Sequence, residues 1–284
     1  MRTVNRLTDL RRSVASLRET GTIALVPTMG ALHDGHMALM RAAANQADHV
    51  VASIFVNPTQ FGAHEDLDAY PRQLAEDTAL LETEGVALLW APGVEDIYPP
   101  GFATKIGVSG VSEGFCGAAR PGHFDGVATI VCKLFNQVSP DVAVFGEKDW
   151  QQLAVIRRMA RDLDLTRPLV DNIIALPTVR EADGLAMSSR NRYLTPEQRI
   201  AASALPRAIH EAIAAIQGGT PPGDALGHMR QALHSAGFSQ VDYATLADAD
   251  SLAELDSLTP GQKARLLVAA RIGGTRLIDN MPVG

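Results

Sequence analysis

Between residues 22 and 176, short apolar runs alternate with stretches of helical period, and this alternation restricts the fold more than any other feature of the chain. The runs at 22–26, 50–56, 86–90, 142–145 and 170–176 lack a strict apolar–polar alternation, so each predicted strand is expected to be covered on both faces. The stretches at 36–47, 74–85, 126–138 and 150–163 space their apolar residues for a buried helical face. Strands buried on both faces and separated by helices imply an α/β fold, a doubly wound, Rossmann-like parallel sheet. In such sheets ligands bind beyond the carboxyl ends of the strands, where loops run into helix N-termini.

After about residue 177 the pattern changes. Helical segments at 196–217 and 223–236 flank the breaker GGTPPG, and strand-like runs follow at 241–247, 263–272 and 276–281. The expected organisation is a first domain over 1–177 and a smaller α+β domain over 178–284, the latter acting as a lid. No internal repeat or low-complexity tract is visible.

The 284 residues are 46% hydrophobic, enough for a sizeable core, and the formal net charge is −7. No global positive field exists to hold nucleic acid or an anionic membrane, so cations for an anionic ligand have to be gathered locally. Cys116 and Cys132 are the only cysteines, which excludes a disulfide framework and suits a cytoplasmic setting. Residues 1–20 have helical spacing and basic residues but no continuous apolar core of a signal peptide, and no stretch has the length of a membrane span. A soluble protein is expected.

Five stretches carry chemistry. PTMGALHDGH, residues 27–36, follows the first strand and places His33 and His36 three apart, on one face of the coming helix. Both imidazoles can point at a phosphate over the helix N-terminus. Equally, His33 can cap the turn while His36 packs in the helix, and a zinc site is disfavoured only by the lack of a third ligand at a familiar spacing. FVNPTQFG, ending the second strand, offers Asn57 and Gln60 to hydroxyl and carboxylate groups, or forms a plain turn. CGAARPGHF is a loop with one cation, Arg120. GEKDWQQL follows another strand, where Lys148 suits phosphate, Asp149 suits ribose hydroxyls and Gln152 lies one helical turn beyond Lys148; ordinary helix capping explains Lys148 and Asp149 as well. MSSRN, with Ser188, Ser189, Arg190 and Asn191 in succession on a segment joining two domains, fits a mobile polyphosphate clamp or a polar interdomain loop. Neither G-x-x-x-x-G-K-[ST] nor G-x-G-x-x-G occurs, which disfavours a P-loop kinase and an ordinary dinucleotide dehydrogenase.

Taken in order, these five stretches resemble the pantothenate synthetase (pantoate:beta-alanine ligase) family, relatives by fold of the HIGH-motif nucleotidyltransferases, over most of the chain. The resemblance implies that (R)-pantoate is joined to beta-alanine using ATP through a pantoyl-adenylate, with release of AMP and pyrophosphate. It further implies that His33 and His36 contact ATP phosphates, with His36 the proton donor, and that Gln60 and Gln152 hold pantoate alongside Asn57 and Arg120. Lys148 would stand by the α-phosphate, Gly146 and Asp149 by the ribose, and Met29, Gly30, Val179 and Met187 along the nucleotide. Ser188, Ser189 and Arg190 would form the loop over the phosphates. Asp77 is a candidate for a water-mediated Mg²⁺ contact. The same resemblance implies a homodimer, with no nucleic-acid or membrane partner. Rival expectations are a nucleotidyltransferase that leaves the nucleotide on its substrate, a tRNA-charging or RNA-binding protein, and a non-catalytic nucleotide sensor.

Overall fold

A computed structural model describes residues 1–62 and 65–284. The chain divides into two compact units, one made of residues 1–112, 120–146 and 152–177, the other of 113–119, 147–151 and 178–284.

In chain order the elements up to residue 177 are β1 (Arg2–Val4), α1 (Leu7–Arg18), β2 (Ile23–Thr28), α2 (Asp34–Ala44), β3 (His49–Ile54), α3 (Leu74–Thr83), β4 (Leu88–Trp90), α4 (Val94–Ile97), α5 (Phe115–Ala119), α6 (His123–Val138), β5 (Val142–Gly146), α7 (Trp150–Asp162) and β6 (Ile173–Leu176). The six strands form one sheet in the order β1-β4-β3-β2-β5-β6, and every neighbouring pair is parallel. Strands β2 and β3 read as unbroken apolar runs because the sheet is covered: Ile23 through Val26 and Val50 through Ala52 are buried. On one side Leu32, Met37, Met40 and Ala43 pack against Val26, Ala52 and Val144. Each of the larger side chains among them contributes about 1.5–3 kcal/mol by leaving water. Elsewhere α1 packs on α6, α6 lies against β2, and the buried Trp90 indole donates to Gln137 Oε1 of α6 at 3.1 Å. From β2 the chain builds outward to β3 and β4 on one side and resumes at β5 and β6 on the other. The topological switch point therefore lies between β2 and β5, where a ligand crevice is expected.

The second unit contains α8 (Pro196–Ala202), α9 (Ala204–Gln217) and α10 (Pro222–Ser235), with β7 (Gln240–Asp248), β8 (Ala264–Ile272) and β9 (Thr275–Val283) in an antiparallel sheet ordered β7-β8-β9. Leu205, Ile209 and Ile216 of α9 and Leu226, Met229 and Leu233 of α10 bury against Leu246, Leu266, Val268, Leu277 and Met281 of the sheet. Among the described residues no helix is long and apolar enough to cross a membrane.

The α/β sheet and the smaller α+β region match the expected fold class, with differences that have local causes. The helix expected over 196–217 is two helices meeting at Ser203, because Pro206 has no N–H to continue the ladder through that point. The helix expected from 126 starts at His123, and the CGAARPGHF loop holds the short α5. The edge strand β1 has no counterpart in the apolar pattern, since two of its three residues are exposed.

Candidate active site

The first unit carries the histidines. Thr28, at the end of β2, donates to Ser53 O at 2.8 Å and accepts from Gly30 N at 3.2 Å. Gly30 (φ +82°) and Ala31 (φ +51°) then turn the chain, and His33 becomes the N-cap of α2. His33 Nδ1 accepts from Gly35 N at 3.2 Å, and His36 Nδ1 accepts from His33 N at 3.3 Å, a reciprocal cap made of two imidazoles whose ring centroids stand 4.1 Å apart. Both imidazoles therefore cap α2, the role considered for His33 alone. Because each Nδ1 accepts a backbone N–H, the proton of each neutral ring is on Nε2, and the ring presents a donor there. Among the described residues no three His, Cys, Asp or Glu side chains are grouped to hold a metal ion. Asp77, the candidate magnesium contact, is 1% exposed, and its two oxygens accept from Ala31 N, Leu32 N and Gln73 Nε2.

The loop after β3 carries the amides. Asn57 is 1% exposed and engaged at both ends: Nδ2 donates to Gln60 Oε1 at 3.0 Å and to Gly126 O at 3.2 Å. Its Oδ1 accepts from Thr59 N, Thr59 Oγ1 and, at 2.8 Å, the Tyr98 hydroxyl. Burial pushes the Tyr98 phenol up despite these hydrogen bonds, which keeps it a donor. Asn57 is thus bound up within the protein, and its effect is on Gln60. With Oε1 taken by Asn57, the Gln60 amide is oriented so that Nε2 is its donor end, 3.1 Å from Met29 Sδ. Helix α6 approaches this turn so closely that a Cβ on Gly126 would lie 2.5 Å from Thr59 O and 2.7 Å from Gln60 N. Arg120 pairs with Glu65 through two hydrogen bonds of 2.6 Å and reaches Gln60 O at 3.3 Å, while His123 Nδ1 donates to the same carbonyl at 2.8 Å. Partial burial alone would raise Glu65, but the Arg120 hydrogen bonds and charge outweigh it and hold the carboxyl below its ordinary value. Gln152, on α7, is half-buried.

The second unit carries Lys148 and the MSSRN segment. Lys148 sits in a 3₁₀ turn (Glu147–Asp149) directly after β5, its ammonium 3.8 Å from Asp149 Oδ2. A Cβ added to Gly146, the last residue of β5, would meet nothing within 4 Å. Asn280 of β9 donates to both Glu147 O and Lys148 O at 2.9 Å. Arg265 of β8 pairs with Glu147 at 2.7 Å and lies 3.6 Å over the Trp150 ring, whose Nε1 donates to Ala249 O. Burial pulls the Arg265 guanidinium below its ordinary value against the pull of Glu147. Gln151, next to the expected Gln152, is buried and ties Cys116 N and Gly114 O of the α5 segment. Further along, Met187 N donates to Val179 O at 3.0 Å, and Arg180 and Ala186 bridge between them. Ser188 Oγ accepts from Arg190 N and caps the 3₁₀ turn Ser189–Tyr193. Asn191 donates to Glu181 and Ala186 O, Arg199 pairs with Glu181 and Asp183, and Arg180 pairs with Asp279. Both cysteines are free thiols.

Of the residues singled out in the sequence, Met29, Gly30, His33, His36, Asn57, Gln60, Asp77, Arg120, Gly146 and Gln152 belong to the first unit and Lys148, Asp149, Val179, Met187, Ser188, Ser189 and Arg190 to the second. The supporting residues Asp77, Tyr98, Gly126, Arg265 and Asn280 are a different matter. For all but Asp77, no motif marks them, because each acts on a segment far away in the chain.

Known proteins resemble this chain over nearly its whole length. The family model for pantoate-beta-alanine ligase matches residues 2–282. The pantothenate synthetase of Novosphingobium aromaticivorans is 66% identical over 285 residues, covering 100% of this chain and 99% of its own. A crystal structure of pantothenate synthetase from Thermus thermophilus superposes with a TM-score of 0.92 at 48% identity, covering 100% of this chain and 99% of that one. The pantoate-beta-alanine ligase of Francisella tularensis, crystallised with beta-gamma ATP and beta-alanine, matches with a TM-score of 0.84 at 32% identity, covering 99% of this chain and 97% of its own.

Proposed function

The chain belongs to the pantoate-beta-alanine ligase family and is a carbon–nitrogen ligase that uses ATP to join pantoate to beta-alanine; from that premise we propose that it works through a pantoyl-adenylate, with the following division of labour. His33 and His36 donate from Nε2 to phosphate oxygens of ATP, and His36 supplies the proton to the departing pyrophosphate. Met29, Gly30, Gly146, Asp149, Val179 and Met187 line the nucleoside, Asp149 accepting from the ribose. Ser188, Ser189 and Arg190 close over the phosphates. Gln60 and Gln152 hold pantoate; Asn57 and Arg120 serve by fixing the side chain and backbone of Gln60. The observation that carries this reading is the reciprocal cap of His33 and His36, which fixes two ring donors side by side at a helix N-terminus.

In the first step a pantoate carboxylate oxygen attacks the α-phosphorus, the bond to the bridging oxygen breaks, and pyrophosphate leaves. Lys148 stabilises the charge that grows on the phosphoryl oxygens. A free carboxylate resists amines, and the anhydride does not. In the second step the neutral amine of beta-alanine attacks the acyl carbon, the carbon–oxygen bond breaks, and AMP departs. Magnesium, which the family resemblance implies, would accompany ATP and offset the charge of its phosphates. The reading includes a homodimer in the cytoplasm, supported by the family resemblance and by the two free thiols.

Pyrophosphate assayed with ATP and pantoate in the absence of beta-alanine tests the route. One equivalent per site is expected, followed by AMP and pantothenate once the amine is added. Strict dependence of pyrophosphate release on beta-alanine would overturn the adenylate. In the same assay Lys148→Ala is expected to slow the first step by about 100- to 1000-fold, the loss of about 3 kcal/mol of charge stabilisation, without unfolding the protein.

A further inference from the structure

The turn between β2 and α2 is bent in a way that an L-residue resists. Gly30 and Ala31 are consecutive left-handed residues, and Ala31 carries its Cβ into a region that favours glycine. Such a conformation persists only where its surroundings hold it. The backbone donors of the turn show what does so. Gly30 N goes to Thr28 Oγ1, His33 N to His36 Nδ1 and Gly35 N to His33 Nδ1, each a partner within three residues. The two N–H groups at and after the strained residue go elsewhere, Ala31 N to Asp77 Oδ2 at 2.9 Å and Leu32 N to Asp77 Oδ1 at 2.8 Å.

Asp77 comes from α3, more than forty residues further along the chain, and is packed tightly against the turn, since a Cβ on Gly30 would stand 3.0 Å from its Oδ2. The third donor to the carboxylate is Gln73 Nε2, at 3.2 Å. Two adjacent main-chain donors aimed the same way need an acceptor at both tips of a fork. A carboxylate provides that; an amide presents N–H to one of them.

We propose that Asp77 is a positioning residue for adenylation: it locks Gly30–Ala31 in the left-handed conformation and so sets the register in which His33 and His36 enter α2. Its route to the chemistry is the turn, not a metal ion. The proposal rests on the reading of His33 and His36 as the donors to the phosphates.

Single-turnover pyrophosphate release from ATP and pantoate, with magnesium titrated, tests it on the full chain for the wild type, Asp77→Asn, Ala31→Gly and the double variant. Asp77→Asn is expected to slow release by about 10- to 100-fold, the scale of a small misplacement of reacting groups, with the magnesium requirement unchanged. Glycine adopts the left-handed region without penalty, so Ala31→Gly in the Asp77→Asn background is expected to recover most of the lost rate. A wild-type rate in Asp77→Asn, a shifted magnesium requirement, or no recovery in a folded double variant would each overturn the proposal. Should Asp77→Asn fail to fold, Gln73→Ala loosens the same carboxylate more gently; a smaller slowing, again relieved by Ala31→Gly, supports the lock, and a wild-type rate overturns it. A wild type that releases no pyrophosphate without beta-alanine would remove the adenylate reading and the proposal together, whereas a competent wild type with an unaffected Asp77→Asn removes the proposal alone.

Discussion

Two turns leave the same parallel sheet, one after β2 and one after β5, and they are held in opposite ways. Within the turn after β2, Thr28, His33 and His36 accept from main-chain donors a few residues away, and Asp77, from α3, takes the N–H groups of Ala31 and Leu32. The turn after β5 is held by residues 118 and 133 positions away, Arg265 through Glu147 and Asn280 through the carbonyls of Glu147 and Lys148. A group that caps its own helix supports the fold from within its own segment. A lysine on a turn that cannot satisfy itself depends on a scaffold built elsewhere.

The sharpest way to break this comparison is to separate the two jobs of His33. Asparagine is a favoured N-cap, so His33→Asn should keep α2, changing stability by less than about 1 kcal/mol. It removes the Nε2 donor, and pyrophosphate release should fall by about 100- to 1000-fold. Thermal melts and single-turnover assays on the one variant decide it: normal turnover would mean that the ring only caps. For the other turn, the job to remove is support without chemistry. Asn280→Ala leaves two carbonyls without their donor and is expected to cost about 1–3 kcal/mol in denaturant unfolding. The rate should fall about tenfold through kcat with the KM for ATP little changed, because Lys148 is displaced and not deleted. The smallest effect concerns Glu65, which fixes Arg120 beside Gln60. A carboxyl held below its ordinary value of 4.5 contributes stability that is present above that pH and is lost as pH falls through the lower folded value. Glu65→Gln should therefore flatten the acid side of the stability curve, seen in melts of both proteins from about pH 7 down to about pH 3.

The same contrast governs how much was legible in the chain. Strands β2 to β5 stood out because burial on both faces leaves unbroken apolar runs, and β6, buried only at Ile173, by its apolar residues alone, whereas β1, short and exposed at the edge, left no such mark. Helix starts shifted where a cap intervened, as when His33 begins α2 at Asp34, ahead of the apolar pattern. At the site, residues within motifs could be picked out by type and spacing. Their support could not, since nothing in the spacing of Asn280 or Arg265 announces that they hold Lys148. Asn57 illustrates the limit from the other side: its position in FVNPTQFG marked it, but only the three-dimensional partners Tyr98 and Gly126 reveal that both ends of its amide are turned inward.

What Gly126 contributes is an absence. Any atom beyond hydrogen at that position would push the backbone of Thr59 and Gln60 away from α6, a helix of sixteen residues with most of its surface inside the protein. The Gln60 amide, proposed above to meet pantoate, is therefore tied to a largely buried helix, and shifting it would require remaking a core, not a loop.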